Sequence, residues 1–233
     1  VVGCLVLGNI FSDVYAGEIQ GESLGIDVAI FDQKGKEVIK NEKGELVVKK
    51  PFPTMPIKFW NDPGDKKFKK AYFSKYKNIW HHGDFIQKTN NNGFIILGRS
   101  DATLNPGGVR IGTSEIYRQV ENIKFIRESL VVGHEWKGDV KIILFVVLDE
   151  KNELRKSDID LIKNTIRKNC SPKHVPHKII SIPEIPRTKS GKIVELAVKK
   201  AIHGEKIENL QALANPESLS VFKKMYKNKL IND

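Results

Sequence analysis

Gly98-Arg99-Ser100-Asp101-Ala102-Thr103-Leu104-Asn105-Pro106-Gly107-Gly108-Val109-Arg110 divides the sequence into two parts that follow different periodicities. The stretch holds three glycines, one proline and two arginines. That composition disfavours helix and strand alike, so it reads either as a long surface loop or as a hinge carrying ligand contacts. The fold assignment follows from what changes across it.

Upstream the chain is β-rich. Ile26–Asp32 reads as a strand, followed by the turn Gln33-Lys34-Gly35-Lys36, a short strand at Glu37–Ile39 and a third at Gly44–Val48. Asn90-Asn91-Asn92-Gly93 is a strong turn signal because Asn and Gly tolerate positive φ, and Phe94–Leu97 follows as a buried strand. Short strands punctuated by turns point to a small barrel or sandwich. Downstream, Thr113 or Ser114 can cap a helix carrying Ile116, Val120 and Ile123. Strands are expected at Ser129–Val132 and Val140–Leu148. Ser157 and Asp160 resemble a capping box for a helix striped by Ile159, Ile162 and Ile166. A last helix is expected from about Lys192 to Gly204. Beyond Lys206 the tail is polar apart from Leu210, Leu213, Leu219 and Phe222, which predicts partial helix with frayed ends. The fold class is therefore α+β: a β-rich part over residues 1–99 and a small α+β domain over residues 100–233.

Composition narrows the function classes. Hydrophobic residues are 40% and charged residues 29% of the 233, ordinary for a globular domain. Cys4 and Cys170 alone cannot build a disulfide framework or a four-ligand zinc site, and a reducing, cytoplasmic setting is the simplest reading. No apolar run approaches the ~20 residues of a membrane span. The longest, Ile142–Leu148, has strand length. A formal net charge of +11 raises nucleic acid, an anionic surface or polyphosphate ligands as partners. The basic residues are dispersed, with a local cluster at Lys66-Lys67 and Lys69-Lys70, and no helix-turn-helix, zinc-finger or RNP-type pattern accompanies them. Neither nucleic acid nor membrane is expected as a partner. The chain opens on Val1-Val2-Gly3-Cys4-Leu5-Val6-Leu7, without an initiator Met or a leading basic region, which suggests a piece of a longer protein.

Three clusters combine polar groups with backbone freedom. Trp80-His81-His82-Gly83-Asp84 offers a carboxylate that can accept two hydrogen bonds from a vicinal diol such as ribose, or simply a solvated turn. In the Gly98–Arg110 stretch, guanidinium forks suit phosphate or ribose oxygens, and Gly107-Gly108 permit close approach of a ligand to the backbone. In Pro186-Arg187-Thr188-Lys189-Ser190-Gly191-Lys192 the terminal ammonium can meet a carboxylate or phosphate, although the Walker spacing is absent. Taken singly, each reads as well or better as a solvated turn, a flexible linker or a surface lysine.

Taken in order and spacing, the three clusters resemble the motifs of the adenylate-forming superfamily of acyl-CoA synthetases, peptide-synthetase adenylation domains and luciferases. In that superfamily a Gly-Asp pair precedes a Gly-Arg-x-Asp hinge loop, and a Pro-x-Thr-x-Ser-Gly-Lys motif follows. Here these are Gly83-Asp84, then Gly98–Asp101 with Arg110-Ile111-Gly112 and Glu115-Ile116, then Pro186–Lys192. Further phrases resemble the acetoacetate-activating branch: Gly17–Gly21, Phe59–Asp62, Lys70–Lys75, Leu104-Asn105-Pro106, Gly112–Tyr117, His174-Val175-Pro176 and the tail phrase Asn215-Pro216-Glu217-Ser218-Leu219. The likeness covers essentially the whole chain. The acetate-activating branch shares the hinge but not usually the tail, and ranks second.

The resemblance implies two half-reactions: ATP and a carboxylate give an acyl-adenylate and pyrophosphate, and CoA then displaces AMP. It implies that residues 1–99 are the truncated, barrel-like end of a large AMP-binding domain, joined by a hinge to the mobile C-terminal domain of residues 100–233. By the same resemblance Lys192 is the catalytic lysine of adenylation, Asp84 and Arg99 hold ribose, and Arg110 acts near the nucleotide phosphates. Asp101 is the hinge residue, Gly107 and Gly108 line the pantetheine passage, and Arg167 contacts CoA phosphate or is a plain helix-surface arginine. The implied substrates are acetoacetate, ATP and CoA, with Mg2+ as cofactor. The phosphate loop and the adenine-stacking, Mg2+-binding motif have no counterpart in this sequence, so no metal ligand is assigned. The expectation is an incomplete enzyme, inactive alone and completed by an upstream polypeptide; a fragment, a split-gene product and a decayed gene all fit. The alternative is a non-catalytic remnant or a module that binds nucleotide or CoA.

Overall fold

A computed structural model describes residues 3–149 and 153–231. The chain forms two compact units, Val1–Ser100 and Asp101–Asp233, each with its own core.

In the first unit, β1 (Val6–Leu7) and β2 (Gly21–Glu22) pair antiparallel. The main sheet joins β3 (Val28–Phe31), β4 (Lys43–Val48), β5 (Trp80–Lys88) and β6 (Phe94–Arg99) in that order, all antiparallel. The sheet is open, and the described residues form no closed barrel, because four strands are too few to curl around a packed interior. Glu37–Ile39, expected as a strand, contributes one isolated bridge from Phe31 to Glu37. The nine-residue β5 runs through the segment whose His-His-Gly-Asp composition suggested a turn. Its register shifts between Phe85 and Ile86, so two successive side chains are buried and the period-2 pattern is broken.

The α-helix α1 (Lys66–Tyr72) was not foreseen, because its lysines outnumber its apolar residues. The Asp62 carboxylate accepts the backbone N–H of Lys67 at 3.0 Å and of Phe68 at 2.8 Å, satisfying donors that a helix start leaves open. Phe68 and Tyr72 point inward, and the Tyr72 ring stacks on Trp80 with centroids 3.7 Å apart. The lysine cluster is thus the outer face of a short helix.

The second unit is built on β7 (Ile126–Trp136), β8 (Asp139–Leu148) and β9 (Lys178–Ser181), in that order. β7 and β8 form a hairpin, and β9 lies parallel to β8 after a crossover through α3 (Lys156–Asn169). α2 (Thr113–Val120) and α3 cover one face, packing on Ile142, Leu144 and Val146. α4 (Glu195–Ile202) and α5 (Leu219–Lys227) cover the other, packing on Ile143, Phe145 and Val147. Burial on both faces explains why this strand is a continuous apolar run. Helix starts differ from expectation by a few residues. At α2 the Glu115 carboxylate accepts the Gly112 N–H at 2.9 Å, and at α3 Asp158 accepts the Arg155 N–H at 2.9 Å, earlier than the expected Ser157–Asp160 box.

The tail docks more fully than its polar composition suggests, and its last two residues lie outside the described residues. It does contain partial helix, but Leu213, Leu219, Phe222, Met225 and Ile231 are buried in the core against β8 and α4. Phe222 meets Phe145 edge-to-face at 4.9 Å. A polar composition concealed this because one apolar side chain per turn suffices to dock a helix. Phe222→Ala should therefore destabilise the second unit by about 3–5 kcal/mol, read as a lowered denaturant midpoint. A loss below about 0.5 kcal/mol would mark an undocked tail.

Candidate functional site

The expected site residues fall into both units. In the first, Asp84 on β5 and Arg99 on β6 stand opposite each other in the ladder, and Arg99 Nη1 donates to Asp84 Oδ1 at 3.2 Å. The same nitrogen lies 3.4 Å from the His82 carbonyl. Gly83 between them has φ +87°, and a Cβ there would come within 2.7 Å of Arg99 Nη2. The positive φ favours glycine at this position. Asp84 Oδ2 lies 3.6 Å from His82 Nε2, while Trp80 Nε1–H donates to His82 Nδ1 at 3.3 Å. That arrangement favours the tautomer with its proton on Nε2, facing the carboxylate. Each Asp84 oxygen retains accepting capacity for a diol.

Beside this pair lies a cluster that sequence reasoning missed. Glu45 on β4 is fully buried, and its carboxylate accepts from Lys75 Nζ, from Ser100 Oγ and from His81 Nε2, the last at 3.0 Å. Ser100 N–H also donates to the Gly83 carbonyl at 2.9 Å. The last residue of the first unit is thus anchored to the strand bearing Asp84. A buried carboxylate needs such partners, but they come from positions up to 55 residues away, and no local pattern announces them.

In the second unit the loop after Asp101 closes on itself. Leu104 and Ile111 exchange backbone hydrogen bonds at 2.9 and 2.8 Å, and Arg110 Nε donates to Thr103 Oγ1 at 3.2 Å. Gly107 N–H donates to Asp139 Oδ1 at 2.7 Å; this bond and a second from Val140 N–H hold the Asp139 carboxyl below the usual range. A Cβ on Gly107 would run into the Lys173 ammonium, whereas one on Gly108 would meet open space. Both glycines take positive φ, +55° at Gly107 and +77° at Gly108, which glycine adopts without strain. Asp101 lines a cavity of about 230 Å3 with Thr103, Val131, Glu195 and Lys199. Tyr117 O–H donates to Glu195 Oε1 at 2.5 Å and accepts from Val131 N–H. Burial, then the Glu195 charge, push the Tyr117 phenol well above its ordinary value, and burial pushes the Glu195 carboxyl up.

Lys192 is exposed on a turn ahead of α4. Thr188 N–H donates to the Lys192 carbonyl at 2.8 Å, and Lys192 N–H donates to Thr188 Oγ1 at 3.1 Å. Arg167 is exposed in the last turn of α3. The fold thus brings Asp84 to Arg99, and Arg110 to the loop of Asp101, while Lys192 and Arg167 occupy separate surface elements. Among the described residues there is no group of three or more His, Cys, Asp or Glu placed to hold a metal ion. No helix among them is long and apolar enough to cross a membrane.

Residues 118–192, which lie in the second unit, match the family model of the AMP-binding enzyme C-terminal domain. The particular relatives are acetoacetyl-CoA synthetases. The chain is 53% identical over 222 residues to acetoacetyl-coenzyme A synthetase of Rhizobium meliloti (strain 1021), covering 95% of this chain and 34% of that protein. It is 42% identical to the acetoacetyl-CoA synthetase of Xenopus tropicalis, covering 96% of this chain and 33% of the relative. The solved structure of acetoacetyl-CoA synthetase from Streptomyces lividans matches with a TM-score of 0.86 at 40% identity, over 93% of this chain and 33% of that one. This chain is a homologue of those synthetases and spans about a third of their length.

The His82 environment yields a pH dependence. Burial pushes its imidazole below the ordinary value and the nearby Arg99 charge adds to this, against the opposing pull of Asp84. The unfolded chain takes up a proton near pH 6.5 that the folded chain refuses. The contribution to stability is therefore intact above that pH and is lost as the pH falls below it. His82 should titrate below about 6.5 by NMR, and His82→Asn should reduce the loss of stability between about pH 7 and pH 5. A titration midpoint at or above 6.5 would contradict the assignment.

Proposed function

We propose that this chain provides the ribose-binding edge, the hinge and the adenylating lysine of an ATP-dependent acetoacetate–CoA ligase, and that an upstream polypeptide supplies the rest of the active site. The observation that carries this reading is the combination, in one homologue of the acetoacetyl-CoA synthetases, of the Asp84–Arg99 pair with an exposed lysine on a hydrogen-bonded turn. Two free cysteines are consistent with a reducing cytoplasm.

In the first half-reaction a carboxylate oxygen of acetoacetate attacks the α-phosphorus of ATP. The new acyl–oxygen–phosphorus bond forms as the bond to the β-phosphate breaks, and pyrophosphate leaves. Asp84 accepts hydrogen bonds from the ribose hydroxyls and Arg99 fixes that carboxylate, so the nucleotide is oriented before reaction. Arg110, held to Thr103 through Nε, acts near the nucleotide phosphates. The Lys192 ammonium draws the two anions together and stabilises charge that builds between them. In the second half-reaction the CoA sulfur attacks the acyl carbonyl, the carbon–sulfur bond replaces the carbon–oxygen bond to AMP, and the thiol proton passes to solvent. The Asp101 hinge lets the second unit present Gly107 and Gly108 in place of Lys192, with Arg167 near the CoA phosphates. Mg2+ would lighten the charge on the phosphates of ATP, and no residue of this chain is assigned to it.

Grafting the chain into the Rhizobium meliloti relative, in place of the matching third, tests the reading. The chimera should convert ATP to AMP with acetoacetate and CoA, whereas the isolated chain should not. Lys192→Ala should slow the acetoacetate-dependent release of pyrophosphate by about 100-fold or more, and leave thioester formation from added acetoacetyl-adenylate within about threefold. Turnover by the isolated chain, or undiminished pyrophosphate release by the variant, would overturn it.

A further inference from the structure

Because Lys192 is exposed, the place of its ammonium is decided by the backbone beneath it. The turn is internally bonded. Gly191 N–H donates to the Thr188 carbonyl at 2.8 Å, and the Thr188 and Ser190 hydroxyls lie 3.0 Å apart. A turn held only by its own bonds could still rock as a body. Two external attachments prevent this.

The first is Arg187. Its Nη1 donates to the Gly191 carbonyl at 2.7 Å and its Nη2 donates to Glu128 Oε2 at 2.7 Å, so one planar guanidinium ties the far side of the turn to β7. The second is the segment that precedes α5. Lys189 N–H donates to the Ala212 carbonyl at 3.0 Å and Ala214 N–H donates to the Arg187 carbonyl at 2.8 Å, forming a short ribbon around the Thr188–Leu213 bridge. Asn215 closes it. Its Oδ1 accepts the Arg187 N–H at 2.9 Å, and its Nδ2 donates to Glu184 Oε2 at 2.7 Å and to the Ile185 carbonyl at 3.1 Å. Leu213 anchors the ribbon by its burial in the core.

We infer that Arg187 and Asn215 are positioning residues for Lys192: Arg187 ties the lysine turn to β7, and the C-terminal segment, through Asn215, holds residues 184–187 that lead into it. The functional half of this inference rests on the proposed role of Lys192; the brace itself does not. The Arg187–Glu128 pair is half-exposed, and such a pair adds little to global stability. The geometry it enforces matters more, since a displacement of about 1 Å at a catalytic group can cost about 100-fold in rate. The residue chemistry is specific. Lysine at 187 would keep the charge but could not bridge two acceptors in the guanidinium's plane. Aspartate at 215 would keep the acceptor for Arg187 N–H while losing both donors and setting a second carboxylate against Glu184.

Amide hydrogen exchange on the chain itself tests the brace. In Asn215→Asp and Arg187→Lys, the amides of residues 188–192 should exchange about tenfold faster or more, with those of β8 unchanged. Unchanged exchange in the turn, or a uniform rise across the unit, would overturn the inference. In the chimera the same variants should lower kcat for pyrophosphate release by about 10–100-fold, leaving KM for ATP and thioester formation from added adenylate near their starting values. Lys192→Ala is the reference. If it is impaired and the two variants are not, the positioning role fails and the proposed function stands. If Lys192→Ala itself is silent, the proposed function fails, and the exchange result alone decides whether the brace exists.

Discussion

A strand that is apolar on both faces cannot rest at a surface, and β8 is such a strand. Ile142, Leu144 and Val146 face one core while Ile143, Phe145 and Val147 face another, so helices must lie on each side of the sheet. α2 and α3 satisfy the first face, and α2 is where the loop that begins at Asp101 ends. The second face needs α4 and also α5 from the C-terminal segment. That second requirement carries the chain from α4 back past the Lys192 turn and delivers Asn215 to Arg187. Core burial and the placing of the Lys192 turn are thus two results of one constraint.

The first unit reaches a similar end by different means. Asp84 and Arg99 are direct register partners on neighbouring strands, with the positive φ of Gly83 before Asp84 and the register shift at Phe85–Ile86 after it. Glu45 sits beside a second register shift, between Glu45 and Val47. Its buried carboxylate gathers Lys75, His81 and Ser100. Truncating it would leave those partners without their shared acceptor, which makes it a structural clasp at the end of the unit rather than a site exposed to ligand.

How much of this was legible follows from the range of each interaction. The apolar run at β8, the Asn90–Gly93 turn and the stripes of α2 and α3 are local patterns, and the structure places elements at each. Asp84 and Arg99 could each be singled out from short motifs, yet their pairing could not, because β5 was hidden by its register shift and its polar composition. α1 was hidden by its lysines, and β9 by its brevity and its parallel partner far upstream. Asn215 and Glu45 lie beyond local reading altogether. Their roles depend on partners about 30 to 55 residues away, which only the topology brings together.

The central claim is that the C-terminal segment is an integral layer of the second unit and carries the lysine turn with it. Native-state hydrogen exchange across a denaturant series tests this most directly. If the account holds, the amides of α5 and of residues 212–215 open together with those of β8, at the same free energy and with the same denaturant dependence. Rapid exchange of α5 and residues 212–215, independent of denaturant while β8 remains protected, would contradict it.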